Sequence, residues 1–266
     1  MSNYKCVFSY VGTNLHGSAE QVGIPLDVVP TVVGKMRFVI ELVAQSKVDI
    51  NLAGRTDKGV HARAQVANFV FPGDIDSKKM IRALNSKLSP EITVHTLEKV
   101  DPAFHARFSA TARTYRYYIY NAENQHTFYS AFTWHIYNDL NLENMIEASK
   151  HFLGEHDFTT FCRTNPAVKN NIRNVQRLDF YEVNKSNDLF NIAGIQNETN
   201  SRLLCVEIKA NAFCWQMVRS IVGTLVDVGR GVLSPNEIVT MLEAKDRSVT
   251  KQLAISQGLT LYEIDY

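Results

Sequence analysis

Apolar and polar positions alternate in a way that divides the first hundred residues into six elements. Tyr4–Tyr10 is a short run rich in strand formers. Over Thr31–Ser46, Val32, Met36, Val39 and Val43 recur at helical spacing, and Thr31 after Pro30 is the expected N-cap. Val48–Leu52 and Gln65–Phe71 read as strands, the second alternating through Val66, Asn68 and Val70. Ser77–Leu88 reads as a helix with Met80, Ile81, Leu84 and Leu88 on one side and Ser77 as its cap. Ile92–Leu97 closes the set as a strand.

The order strand, helix, strand, strand, helix, strand is the ferredoxin-like plan, which RNA-recognition modules also use. The rest of the chain repeats the theme less cleanly. Thr114–Tyr120, Phe132–Tyr137, Val175–Val183, Phe190–Ile195, Leu203–Asn211 and Leu259–Asp265 are strand-like. Leu142–Leu153 is amphipathic, Phe213–Val228 is a strongly apolar helix, and Pro235–Ala244 is another. No strict βαβ rhythm appears, so the pattern predicts an α+β fold with a large antiparallel or mixed sheet. A boundary is expected near Pro102–Phe108, giving halves of residues 1–104 and 105–266.

Composition narrows the class. With 45% hydrophobic and 21% charged residues the chain is globular in character, neither disordered nor fibrous. No apolar run approaches the roughly 20 residues that span a bilayer. The start, Met1-Ser2-Asn3-Tyr4-Lys5, lacks a signal-peptide layout, so a cytoplasmic location is expected. Cys6, Cys162, Cys205 and Cys214 form no CxxC pair and are expected to be buried, reduced thiols. The eight histidines include no HExxH, and His151 and His156 are badly spaced for one helix face. No metal site is expected.

The net charge of +1 does not announce nucleic acid, but its distribution changes the picture. Three windows hold basic residues and no acid. Arg107, Arg113 and Arg116 lie between Asp101 and Glu123. Arg163, Lys169, Arg173 and Arg177 lie between Asp157 and Asp179, and Lys209 and Arg219 between Glu207 and Asp227. Phe104, Phe108, Tyr115, Tyr117, Tyr118, Phe158, Phe161, Phe213 and Trp215 sit among them. Arginine and aromatic planes together suit a polyanion with stackable bases. Ordinary strands with solvated arginine edges explain the charge pattern equally well.

Familiar nucleotide motifs fail. Gly12 to Gly17 has Walker-like spacing but runs into Ser18 with no lysine, and neither GxGxxG nor GxSxG occurs. One segment between two predicted strands stands out, Ala53-Gly54-Arg55-Thr56-Asp57-Lys58-Gly59-Val60-His61-Ala62. An aspartate bracketed by glycines is by default a turn former. Here a lone carboxylate sits two residues from Arg55, and a nearby guanidinium favours its charged form. That suits a nucleophile or a cation stabiliser and not a general acid.

Gly54–Ala62 followed by Gln65-Val66 resembles the signature of the tRNA pseudouridine synthase A family. Phe104–Tyr117 is similar to its second motif, and Asn211-Ala212-Phe213 with Met217–Gly223 to its third. Leu153–Phe158 and Ala244–Arg247 are supporting matches, in family order. One stretch departs. Where the family writes G-T-x-Y-x-G-W-Q-x-Q, this chain has Gly12-Thr13-Asn14-Leu15-His16-Gly17-Ser18-Ala19-Glu20-Gln21, and Val22–Leu26 is also unusual. The departure bears on substrate docking more than on chemistry.

The resemblance implies a pseudouridine synthase fold, two ferredoxin-like halves joined through a large sheet with the active-site cleft between them. It implies isomerisation of uridine to pseudouridine in the anticodon arm of tRNA, by an aspartate and without cofactor or metal. Asp57 would be that aspartate. Tyr115 would stack on the target uracil, Arg219 would lie beside Asp57 and hold it ionised, and Arg55 would enter the helix or contact phosphate as the base flips. His61 has no family role and reads as structural. The resemblance also implies a homodimer that presents tRNA across both subunits. Two other readings stay open: a non-catalytic RNA-binding protein, for which a carboxylate facing phosphate has no use, and a pseudouridine synthase for other RNA positions.

Overall fold

The computed structural model describes residues 1–20, 28–164, 170–183 and 201–266. The expected strand at Phe190–Ile195, the positions from Gln21 to Leu26, and Lys169 lie outside them. The chain is mixed α+β and divides into two compact units, one of Met1–Arg113 with Thr260–Tyr266, the other of Thr114–Leu259.

The first unit is built from β1 (Ser2–Tyr10), α1 (Val32–Ala44), β2 (Ile50–Leu52), β3 (His61–Phe71), α2 (Ser77–Leu88) and β4 (Ile92–Val100), in the predicted order. β10 (Leu259–Asp265) joins it from the far end of the chain. β1 is central, antiparallel to β3 on one side and to β4 on the other. The other edge of β3 is shared. Ala67–Phe69 pairs antiparallel with β2, while His61 and Ala62 pair parallel with β10. Alternation on β1 turns Tyr4, Cys6, Phe8 and Tyr10 inward. Val32, Met36, Val39 and Ile40 of α1 and Met80, Leu84 and Leu88 of α2 are buried with them, each such side chain worth about 1.5–3 kcal/mol.

Capping follows the residue chemistry. Thr31 caps α1 as expected, its hydroxyl accepting the Gly34 N–H at 3.2 Å. The helix stops at Ala44 and not Ser46, because Gln45 turns left-handed at φ 51°. The cap of α2 is Asp76 and not Ser77. Its carboxylate accepts the Lys79 N–H at 3.1 Å, so Ser77 is already the first helical residue. β3 starts four residues earlier than the alternation suggests, because His61 and Ala62 find partners in β10 and Tyr10.

The second unit holds β5 (Ala112–Asn121, from Thr114 on), β6 (Trp134–Ile136), α3 (Leu142–Ser149), β7 (Gly154–Asp157), β8 (Ile172–Glu182), β9 (Arg202–Ala210), α4 (Met217–Gly229) and α5 (Glu237–Ala244). Its strands run in the order β5-β9-β8-β7, with β6 parallel to β5. β7 escaped prediction because it is four residues long and largely polar. α4 begins at Met217 and not Phe213. Gln216 adopts φ 64°, which no helix interior tolerates, and Cys214–Met217 form a turn closed by the Met217 N–H on the Cys214 carbonyl at 3.2 Å. From Met217 on, α4 is nearly all buried, as its composition requires.

Candidate active site

The loop that joins β2 to β3 carries Arg55 and Asp57, and its backbone is fastened at several points within the first unit. The Thr56 N–H donates to Ser18 Oγ at 2.8 Å, and the Ser18 N–H returns the bond to the Thr56 carbonyl at 3.0 Å. The Thr56 hydroxyl shares a 2.8 Å hydrogen bond with the Tyr10 hydroxyl. Gln65 Nε2 donates to the Gly54 carbonyl at 2.9 Å, and the Val60 N–H to the Asp57 carbonyl at 3.2 Å. Asp57 is thus a half-buried carboxylate on a backbone held on both sides, while Arg55 and Lys58 are exposed. Lys58 Nζ lies 3.1 Å from His16 Nε2.

Two glycines make this closeness possible. Gly17 sits at φ 90°, and a Cβ there would stand 2.9 Å from the Thr56 carbonyl oxygen. A Cβ on Gly12 would stand 2.0 Å from the Val60 carbonyl oxygen. The Gly12 N–H donates to His61 Nδ1 at 3.1 Å, and His61 is buried. Burial pushes the Tyr10 phenol up to about 12, with its bonds to Thr56 and Gln65 pulling the other way. Tyr10 therefore stays a neutral hydroxyl and a lasting partner for Thr56.

Tyr10 and Ser18 carry no sign in the sequence of belonging to this site, whereas Gln65 lies in the Gln65-Val66 stretch that closes the family-like signature. Ser18 occupies the place where the family pattern writes tryptophan, and its partner Thr56 is 38 residues away. The structure turns that departure into an anchor, because the small side chain sits fully buried against the Asp57 loop.

Tyr115 and Arg219 belong to the second unit. Tyr115 is buried on β5, its ring meeting Phe213 edge to face with centroids 5.1 Å apart. Arg219 is half-buried in the first turn of α4. Its Nε donates to the Ala254 carbonyl at 2.7 Å, and its own carbonyl accepts the Ala254 N–H at 3.1 Å. The same segment is tied to β5 by the Tyr117 hydroxyl, which donates to the Ile255 carbonyl at 2.8 Å. An arginine in this apolar helix, among Met217, Ile221 and Leu225, is costly unless it is paired. Partial exposure and a backbone carbonyl meet part of that need.

The basic windows do not survive as a uniform phosphate face. Arg113 is buried, its guanidinium donating to the carbonyls of Ala53, Arg107 and Ala110. Arg116 and Arg177 both pair with Glu207, at 2.6 and 2.5 Å. Arg163 stacks on Trp215, its guanidinium carbon 4.2 Å from the ring centre. Arg107 and Phe108, in contrast, are exposed side by side, guanidinium carbon 5.5 Å from ring centre. Among the described residues no cluster of three or more His, Cys, Asp or Glu could hold a metal ion, and no helix is long and apolar enough to cross a membrane.

Residues 7–109 and 148–266 match the sequence profile described as tRNA pseudouridine synthase. The chain belongs to that family, and the family's members are isomerases. Its relatives include proteins named tRNA pseudouridine synthase A. The one from Bacillus velezensis is 36% identical over 264 residues, 98% of each chain. Those from Thermoanaerobacter and Pseudothermotoga lettingae are 37% and 34% identical over 266 residues, the whole of each chain.

Proposed function

We propose that this chain isomerises uridine to pseudouridine in the anticodon arm of tRNA, with Asp57 as the catalytic carboxylate. The reaction breaks the bond from N1 to C1′, turns the base, and joins C5 to C1′. C5 gives up its proton and N1 gains one, so no atom or electron is exchanged overall. A carboxylate can attack C1′ or C6 or stabilise positive charge at C1′. Each role asks for a charged group held still, and the observation that carries the reading is the pinned backbone on both sides of Asp57.

The base must leave its stack before the reaction, at a cost of a few kcal/mol. Arg55 would meet phosphate or the vacated helix, a role that its exposure on the same loop supports. Tyr115 offers a ring for the flipped uracil, and Arg219 a charge to keep Asp57 ionised. The halves of residues 1–104 and 105–266 would supply the aspartate loop and these two residues respectively. The element order of the first half and its strand order β4-β1-β3-β2 support a ferredoxin-like half. The exposed side chains of Phe38, Leu42 and Val43 on α1 support a homodimer, which would cover them. The site of action would be the cytoplasm.

The test is release of tritium from tRNA labelled at uridine C5, with the position mapped afterwards. Asp57→Asn should lose at least several powers of ten in single-turnover rate while still binding tRNA. More than about a tenth of the wild-type rate would end the assignment.

A further inference from the structure

Two of the four cysteines lie together. Cys162 follows the short 3-10 turn Thr159–Phe161 and is fully buried, and Cys214 opens the turn that leads into α4. Cys214 is only half-buried, against the expectation that every thiol would be. The two segments are laced one residue further on, where the Arg163 N–H donates to the Trp215 carbonyl at 2.9 Å. The thiols are hydrogen-bonded to each other, and Cys214 Sγ is also 3.4 Å from Asn171 Oδ1.

The two sulfurs are unequal. The bond to Cys214 and burial hold the Cys162 thiol well above its usual range. Cys214 is held below its usual value, first by the hydrogen bond from Cys162 and then by the charge of Arg173, against burial and Asp157. Arg247 adds a further positive charge near Cys162. A partly exposed, thiolate-prone cysteine beside a second thiol is the arrangement of a peroxide-sensitive pair. Cys6 and Cys205 differ, both buried and both pushed up to about 12, chiefly by burial.

We infer that Cys162 and Cys214 form a modification site that hydrogen peroxide converts from a dithiol to a disulfide. The Cys214 thiolate attacks one peroxide oxygen, and the O–O bond breaks to leave a sulfenic acid and hydroxide, which takes up the proton that Cys214 gave up on ionising and becomes the first water. Cys162 sulfur then displaces hydroxide from the Cys214 sulfur, and its proton leaves with that hydroxide as the second water. Two thiols lose two electrons, and the peroxide takes them. Phe213, next to Cys214 in the chain, is the residue that packs edge-on against Tyr115. Closing the bond pulls on that contact. The consequence for turnover, unlike the disulfide itself, rests on the role proposed for Tyr115.

The test uses the full chain, reduced and then exposed to hydrogen peroxide. Remaining thiols are alkylated, and the protein is digested without reductant and mapped by mass spectrometry. A Cys162–Cys214 linked peptide that dithiothreitol removes is expected. In Cys162→Ala, dimedone should instead trap Cys214 as its sulfenic acid, and Cys214→Ser should leave Cys162 unoxidised. The wild-type map decides the matter even where the Cys162 variant fails to fold. Cys214 linked to Cys6 or Cys205, oxidised without any link, or inert at a dose that oxidises a free thiol would overturn the pair. Single-turnover rates are read on the same samples. A loss on oxidation that dithiothreitol restores, absent from Cys214→Ser, supports the link through Phe213. A disulfide that leaves the rate unchanged overturns that link and leaves the thiol pair standing.

Discussion

Replacing Ser18 by alanine deletes one atom, the Oγ that accepts the Thr56 N–H. Both residues are buried, so the donor is left without a ready replacement. An orphaned buried donor costs about 1–3 kcal/mol. The return bond from the Ser18 N–H to the Thr56 carbonyl uses backbone only and survives, as does the hydroxyl bond to Tyr10. The loop should therefore stay folded with one fastening fewer, next to Asp57. For a chain of this size, that stability loss lowers Tm by roughly 2–10 °C. Displacement of a reacting group by about 1 Å can cost about a hundredfold in rate. Ser18 is too buried to touch RNA, so KM should stay within about twofold while kcat falls. Thermal unfolding and single-turnover tritium release measure the two effects on one preparation. Lys58→Ala is the control for stability, since its contact with His16 is exposed and should be worth under about 0.5 kcal/mol. A Ser18→Ala protein with wild-type Tm and wild-type rate would show that this hydrogen bond does not hold the loop.

Affinity for tRNA should fall with salt, and the arginines should differ in their share. Arg107→Ala, at an exposed position, should reduce the slope of log affinity against log salt by about 1, whereas Arg116→Ala, whose Nε is engaged by Glu207, should leave it nearly unchanged; equal slopes for the two variants would contradict the assignment. Stability should also drain at alkaline pH. Burial raises the folded-state pKa of Tyr10 to about 12 against about 10 unfolded, so its contribution is complete below about pH 10 and is lost as pH rises toward 12. That shift is worth about 3 kcal/mol at most, with Cys6 and Cys205 acting in the same direction. Urea midpoints between about pH 9 and pH 11.5 test it, and a flat profile would refute it.

Local chemistry makes most elements legible in the sequence. The spacing of Val32, Met36 and Val39 marks α1, and that of Met80, Leu84 and Leu88 marks α2. The Asp57 loop is visible because its glycines, charges and flanking strands lie close together in the chain. The errors at the start of β3 and before α4 share one cause, a partner distant in sequence. His61 and Ala62 look like loop because their partners are Thr260 and Leu261. The run from Phe213 to Val228 looks like one helix because its apolar residues recur at helical spacing. Phe213 instead uses its ring on Tyr115, and Gln216 breaks the rise of the helix with a left-handed turn.

The same cause explains why acid-free windows are weak evidence for a phosphate-binding face. A window is empty of acids only along the chain, while a strand's neighbours come from elsewhere. Arg116 on β5 and Arg177 on β8 flank β9 in the sheet, and β9 supplies Glu207 to both. Glu207 is itself buried, and a carboxylate there would be costly without such partners. These two arginines therefore answer a demand of the fold before any demand of RNA. Arg55 and Arg107 face the opposite situation, being exposed on loops of the first unit. Arg55 shares its loop with the proposed catalytic carboxylate, and Arg107 has an exposed aromatic ring beside it. For recognition of a polyanion, exposure and loop position thus select these two, where charge counting along the sequence finds Arg107 among many and passes over Arg55.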